Sequence, residues 1–150
     1  MIRGRRIGAP AGVLRPFVLA HVVIPALAIA GDVNFLVDTG ADGTLLAAAD
    51  AARLEIATSR LPKGTASRGV GGATPTVHTE ATITLGPDRY QLELRILAPE
   101  TARQRRELAH VPSLLGRDIL SRFALFYDHV VGLVLLLEPD EAAAIRPHLP

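Results

Sequence analysis

Phe35-Leu36-Val37-Asp38-Thr39-Gly40-Ala41-Asp42-Gly43-Thr44-Leu45-Leu46 runs an apolar strand into an acidic, glycine-containing turn and back into apolar residues. An Asp at a strand end, followed by a hydroxyl residue and Gly, can hold its carboxylate in a fixed orientation. The hydroxyl can bond backbone, and Gly lets neighbouring amides approach closely. Alone, Asp-Thr-Gly is an ordinary turn tripeptide. What flanks it decides its meaning.

Upstream, Arg15–Pro25 is rich in β-branched and apolar residues, and Gly31-Asp32 is a turn signal before the second apolar run, Val33–Val37. The segment predicts a hairpin that ends at Asp38. Downstream, Ala47–Leu54 carries good helix formers over about one turn. Leu61–Pro75 contains Gly64, Gly69, Gly71 and Gly72 and leads into Val77–Leu85, which alternates apolar and polar residues as a half-buried strand does. This predicts a glycine-tipped hairpin. Gln91–Leu97 alternates in the same way, and Ala98–Ser113 is a charged connection. Leu114-Leu115-Gly116-Arg117-Asp118-Ile119-Leu120 then passes into Phe123–Tyr127 and Val130–Leu137, with Asp128-His129 as the turn between strands. Glu138–Pro150 is a polar tail. The pattern is mainly β, with one or two short helices.

Composition narrows the function classes. At 150 residues the chain is the size of one domain, and with 49% apolar but only 4% aromatic residues its core is built from Val, Leu, Ile and Ala. A net charge of +1 gives no electrostatic case for a nucleic-acid or membrane partner. The local basic clusters, Arg3-Gly4-Arg5-Arg6 and Arg103-Gln104-Arg105-Arg106, read as solvated loops. Without cysteine there is no thiol nucleophile or thiolate metal site, and His21, His78, His110, His129 and His148 show no ligand spacing, so neither metal nor cofactor is expected. Gly69–Gly72 lacks the following Lys-[Ser/Thr] of a phosphate cradle. Met1–Gly31 imitates a signal peptide, yet Pro25 and His21 interrupt its apolar run, which falls short of the ~20 residues of a membrane span. Cleavage after Ala30 would remove the first strand, so a cytoplasmic address is expected, with export by this signal-like segment the less favoured alternative.

Three motifs in order carry more weight than the tripeptide. Asp38-Thr39-Gly40-Ala41-Asp42 with Thr44, the glycine-rich Gly69-Val70-Gly71-Gly72, and Leu114-Leu115-Gly116-Arg117 resemble those of the retropepsin-like aspartic proteases, a match spanning roughly Phe17–Leu137. The resemblance implies a closed acid-protease barrel lobe with a flap hairpin. It places the domain at residues 15–138, after a flexible segment, 1–14, and before a polar tail, 139–150. It further implies that Asp38 is the catalytic carboxylate, that Thr39 locks two active-site loops across a two-fold axis, and that Gly40 contacts substrate backbone. Ala41, Asp42, Gly69, Val70, Gly71 and Gly72 would bind substrate. Leu115, Gly116 and Arg117 would support the site, with Arg117 paired to Asp42. Two departures stand out: Gly43 replaces a second acidic residue common in the retroviral enzymes, and Asp118 stands where they often carry Asn.

This chemistry needs two carboxylates about 3 Å apart sharing one proton. The chain has one Asp-Thr-Gly and no second Asp-[Ser/Thr]-Gly, so a homodimer acting on a peptide or protein substrate is expected. Activity should peak on the acidic side of neutral. Val130–Leu137 is either an interleaving dimer strand or an internal core strand, the second being preferred. The competing function is a catalytically silent binding or dimerisation module on the same fold.

Overall fold

Regular alternation of buried and open positions builds the long strands. In the computed structural model, which describes residues 1–8, 12–69 and 72–148, the chain runs through β1 (Ile2–Arg3), β2 (Arg5–Gly8), β3 (Leu14–Ile24), β4 (Ile29–Val37), β5 (Leu45–Leu46) and α1 (Ala48–Arg53). It continues through β6 (Ser67–Gly69), β7 (Gly72–Thr74), β8 (Thr76–Leu85), β9 (Asp88–Leu97), α2 (Ala102–Leu108) and β10 (Ser113–Leu115). It finishes with α3 (Arg117–Leu120), β11 (Ala124–Asp128), β12 (Leu133–Leu137) and α4 (Pro139–Ile145).

Six strands close a ring in the order β3, β4, β10, β5, β9, β8, and β8 returns to β3 through His21–Thr84, Val22–Ile83 and Val23–Thr82. Closure removes the sheet edges that would otherwise be open. Inside it, Val18, Ile24, Val33, Phe35, Leu94 and Leu115 are fully buried, each such side chain contributing ~1.5–3 kcal/mol of transfer free energy. Beneath lies a second sheet, β1-β12-β11, in which Val134 and Leu136 are also fully buried. Val130–Leu137 thus supplies a core strand, but it starts only at Leu133. The turn extends past His129 to Gly132 (φ +74°), with Asp128 accepting from the Val130 and Val131 amides.

Four local readings change. The first hairpin turns at Pro25–Ala28, not at Gly31-Asp32: Pro25 opens a single 3-10 turn, and Ala28 closes it at φ +52° with its N–H on the Pro25 carbonyl. Gly31 lies inside β4, paired with Val22 of β3, and a Cβ there would press on the Leu54 side chain. Residues 1–8, expected to be flexible, instead pair β1 with β12 and β2 with β3, and Ile2 is buried. Arg103–Arg106, read as a solvated loop, belongs to α2, whose capping box joins Thr101 and Gln104. The expected tail folds into α4, which carries a second capping box between Glu138 and Glu141 and buries Ala142. Propensity and capping act over a few residues, and charge content masked both helices. Among the described residues no helix is long and apolar enough to cross a membrane.

Candidate active site

Strand β4 carries Asp38 to the point where the barrel opens. β10 lies parallel beside it, pairing Ser113 with Phe35 and Leu115 with Val37. The Asp38 amide continues that ladder by donating to the Leu115 carbonyl at 3.1 Å. The turn then folds back on itself: the Ala41 N–H donates to the Asp38 carbonyl (3.2 Å), and the Gly40 N–H to Asp38 Oδ1 (2.9 Å). The carboxylate is therefore oriented by the Gly40 amide, while Thr39 and Gly40 stand exposed at the loop tip.

The far side of the loop is fastened to α3. The Arg117 amide donates to the Ala41 carbonyl at 2.9 Å, and the Asp118 amide to the Asp42 carbonyl at 3.2 Å. The expected Asp42–Arg117 ion pair is present, but its side chains are 86% and 56% exposed, so it adds little to stability. The stronger fastening is one that sequence reasoning missed. Asp118 accepts from the Thr44 amide (2.8 Å), the Thr44 hydroxyl (2.7 Å) and the Ile119 amide (2.9 Å). The same hydroxyl accepts from the Gly116 amide at 3.2 Å. Thr44 is 1% exposed, and Ser113, completely buried, likewise bridges the Ala47 amide and Asp50. Two hydroxyl residues embedded in apolar motifs were the available signal. Thr44→Val keeps the shape but leaves the Gly116 amide without its partner in the interior, so we expect a loss of about 1–3 kcal/mol. Thermal unfolding should read this as a drop of several degrees, and an unchanged midpoint would rule out the clamp.

Gly116 and Gly43 meet backbone to backbone. A Cβ on Gly116 would lie 2.6 Å from the Gly43 carbonyl oxygen and 2.8 Å from its Cα. Leu115, whose carbonyl holds the Asp38 amide, is fully buried.

Asp38, Gly40, Ala41 and Asp42 open onto a cleft of about 1060 Å³. Ser67, Ala73 and Thr74 of the β6–β7 hairpin line another side. The hairpin pairs Ser67 with Thr74 and Gly69 with Gly72, while Val70 and Gly71, expected at its tip, lie outside the described residues. α2 supplies a further wall that the sequence reading did not foresee, with Arg103, Glu107 and Leu108 facing the cleft.

The sequence profile described as "gag-polyprotein putative aspartyl protease" matches residues 28–122, from the first hairpin through α3. Among solved structures, EIAV protease complexed with the inhibitor HBY-793 is 29% identical, with a TM-score of 0.51 over 71% of this chain and 86% of that one. A retropepsin-like aspartic protease from Rickettsia conorii shares the fold, with a TM-score of 0.54 and 19% identity over 91% of this chain and 88% of that one. No curated protein matches the chain.

Proposed function

Because the chain belongs to the gag-polyprotein aspartyl protease family and has the retropepsin-like fold, we propose that it is an aspartic endopeptidase whose two catalytic carboxylates are the Asp38 side chains of two subunits. The observation that carries this reading is the oriented Asp38 at the edge of a large cleft bordered by a β-hairpin. A lone carboxylate cannot act as both base and acid on one water. Two of them about 3 Å apart share a proton, because like charges at that distance do not both ionise.

The ionised member takes a proton from water as that water attacks the scissile carbonyl. The protonated member donates to the oxygen that becomes negative. As the C–N bond breaks, the proton taken from water passes to the leaving amine, the other carboxylate recovers its proton from the diol hydroxyl as the carbonyl reforms, and no covalent intermediate forms. Thr39, exposed beside Asp38, bonds its two-fold mate in this reading, and Gly40 and Asp42 receive substrate main chain. The β6–β7 hairpin closes as a flap over an extended peptide, which adds to it as a strand adds to a sheet edge.

The second subunit needs a surface. β11 is one edge of the β1-β12-β11 sheet, and its Leu125, Phe126 and Tyr127 are each about 40% exposed, beside Val130 at 90%. A bare apolar edge of this kind favours pairing with another chain. We assign the subunit contact to it, since α3 hands the chain from the Asp38 loop to β11.

The test is cleavage of a mixed library of unstructured peptides over about pH 3.5–7.5, with oligomeric state measured in the same samples. Specific activity should fall on dilution into monomer and peak on the acidic side of neutral. Phe126→Arg should give a folded monomer that does not cut. An active Phe126→Arg monomer would exclude the shared dyad, and an active dimer would exclude β11 as the contact. Native protein that is folded, dimeric and inert would make this a binding module.

A further inference from the structure

Five ionisable side chains line the cleft: Asp38, Asp42, Arg95, Arg103 and Glu107. Asp42 is paired with Arg117, and Arg103 with Glu107 at 2.7 Å. Asp38 belongs to the chemistry above. Arg95 remains. Among the described residues no carboxylate oxygen lies within 4.0 Å of its guanidinium. Its one hydrogen bond runs from Nη2 to the Gly43 carbonyl, at 3.3 Å.

The position of this cation follows from the strand. β9 buries Leu94 and Ile96 in the barrel, so the intervening Arg95 points out of the core toward the cleft. Its neighbour across the parallel β5–β9 pair is Leu45, which also lines the cleft. Room for the guanidinium comes from Gly43, where a Cβ would lie 2.9 Å from Arg95 Nη2. Asp118 is close by, its Oδ2 lying 3.6 Å from that same Cβ position, but its hydrogen bonds run to Thr44 and Ile119 and it makes no ion pair with Arg95 within 4.0 Å. Arg95 therefore keeps most of its five N–H donors for something else, in a half-buried place where a planar fork suits a carboxylate. Leu97, Leu108 and Leu114 supply apolar surface for the stem of such a side chain.

We propose that Arg95 is a specificity-determining residue that selects an acidic side chain, Asp or Glu, at one position of the bound peptide. The inference rests on the peptidase reading for its substrate, and its test is a binding measurement that needs no cleavage.

Asp38→Asn protein binds labelled peptides in which each position in turn carries Glu or its isostere Gln, followed by fluorescence polarisation. At one position Glu should bind about tenfold tighter than Gln, the margin between a charge-assisted and a neutral hydrogen bond. The gap should shrink as salt is raised. It should vanish in Arg95→Gln and persist in Arg95→Lys, which also guards against a mere folding defect. A folded protein that binds peptides with no preference for Glu at any position overturns the inference, as does a preference that survives Arg95→Gln. Arg95-dependent binding by a chain whose native form cuts nothing would sink the peptidase reading and leave this one standing. Failure to bind any peptide would overturn both.

Discussion

Asp38→Asn is expected to fold and dimerise like the native chain and to hydrolyse peptides at least about a thousandfold more slowly. Asn is nearly isosteric with Asp, and its Oδ1 still accepts the Gly40 N–H that orients the native side chain at 2.9 Å. The loop fastenings, from the Asp38 amide to Leu115 and from Arg117 to Ala41, use backbone alone and are untouched. In the proposed mechanism, what disappears is the group that takes a proton from water and returns it, a role worth about 10²–10⁴ in rate, along with the charge distribution that stabilises the oxyanion. The loss should therefore fall on kcat, with KM nearly unchanged, because extended-strand contacts to the peptide remain. Stopped assays beside thermal unfolding separate the two effects. If Asp38→Asn cuts at the native rate, Asp38 is not the catalytic group and the shared-proton mechanism is wrong.

Gly116→Ala should produce the largest loss of stability. The added methyl would sit 2.6 Å from the Gly43 carbonyl oxygen and 2.8 Å from the Gly43 Cα. These are backbone atoms, so no side chain can rotate out of the way. Either the loop at Gly43 or the start of α3 must move. The first choice breaks the Thr44–Asp118 bonds at 2.7 and 2.8 Å, and the second weakens the Gly116 N–H contact to Thr44 Oγ1. Overpacking of this kind costs about 3 kcal/mol, and a domain of this size loses about 2–4 °C per kcal/mol. The midpoint should thus fall by roughly 10 °C, and whatever protein remains folded should have a displaced Asp38 loop and weakened catalysis. A midpoint within a degree or two of native would mean that Gly43 and Gly116 are not in close contact.

These expectations draw on unequal parts of the sequence. β8 and β9 were legible because one face is buried and the other open, and period-two alternation records that directly. Asp38, Gly116 and Arg117 were legible because they sit in short motifs flanked by apolar strands. The Asp42–Arg117 pair was expected and is present, yet it is exposed, and the buried fastening falls to Thr44 and Asp118 instead. α2 was not legible, since its four-residue basic cluster resembles solvated loop and its capping box spans only Thr101–Gln104. The first turn was misplaced because a glycine also occurs within a strand where a side chain packs over it, as Leu54 does over Gly31, while Pro25 and Ala28 make the turn itself.

From the sequence by itself came the mainly β class, the three ordered motifs, and the single Asp-Thr-Gly on which the proposal of a two-subunit site rests. These are properties of neighbouring residues, where local sterics and alternation act. Only the tertiary structure decided the Thr44–Asp118 clamp, the backbone contact of Gly43 with Gly116, and the placing of Arg95 in the cleft with no carboxylate partner among the described residues. The clamp joins residues 74 positions apart, and the Arg95–Gly43 contact spans 52. Which side chains meet over such separations depends on barrel closure and strand register, and neither is written in any short window of the chain.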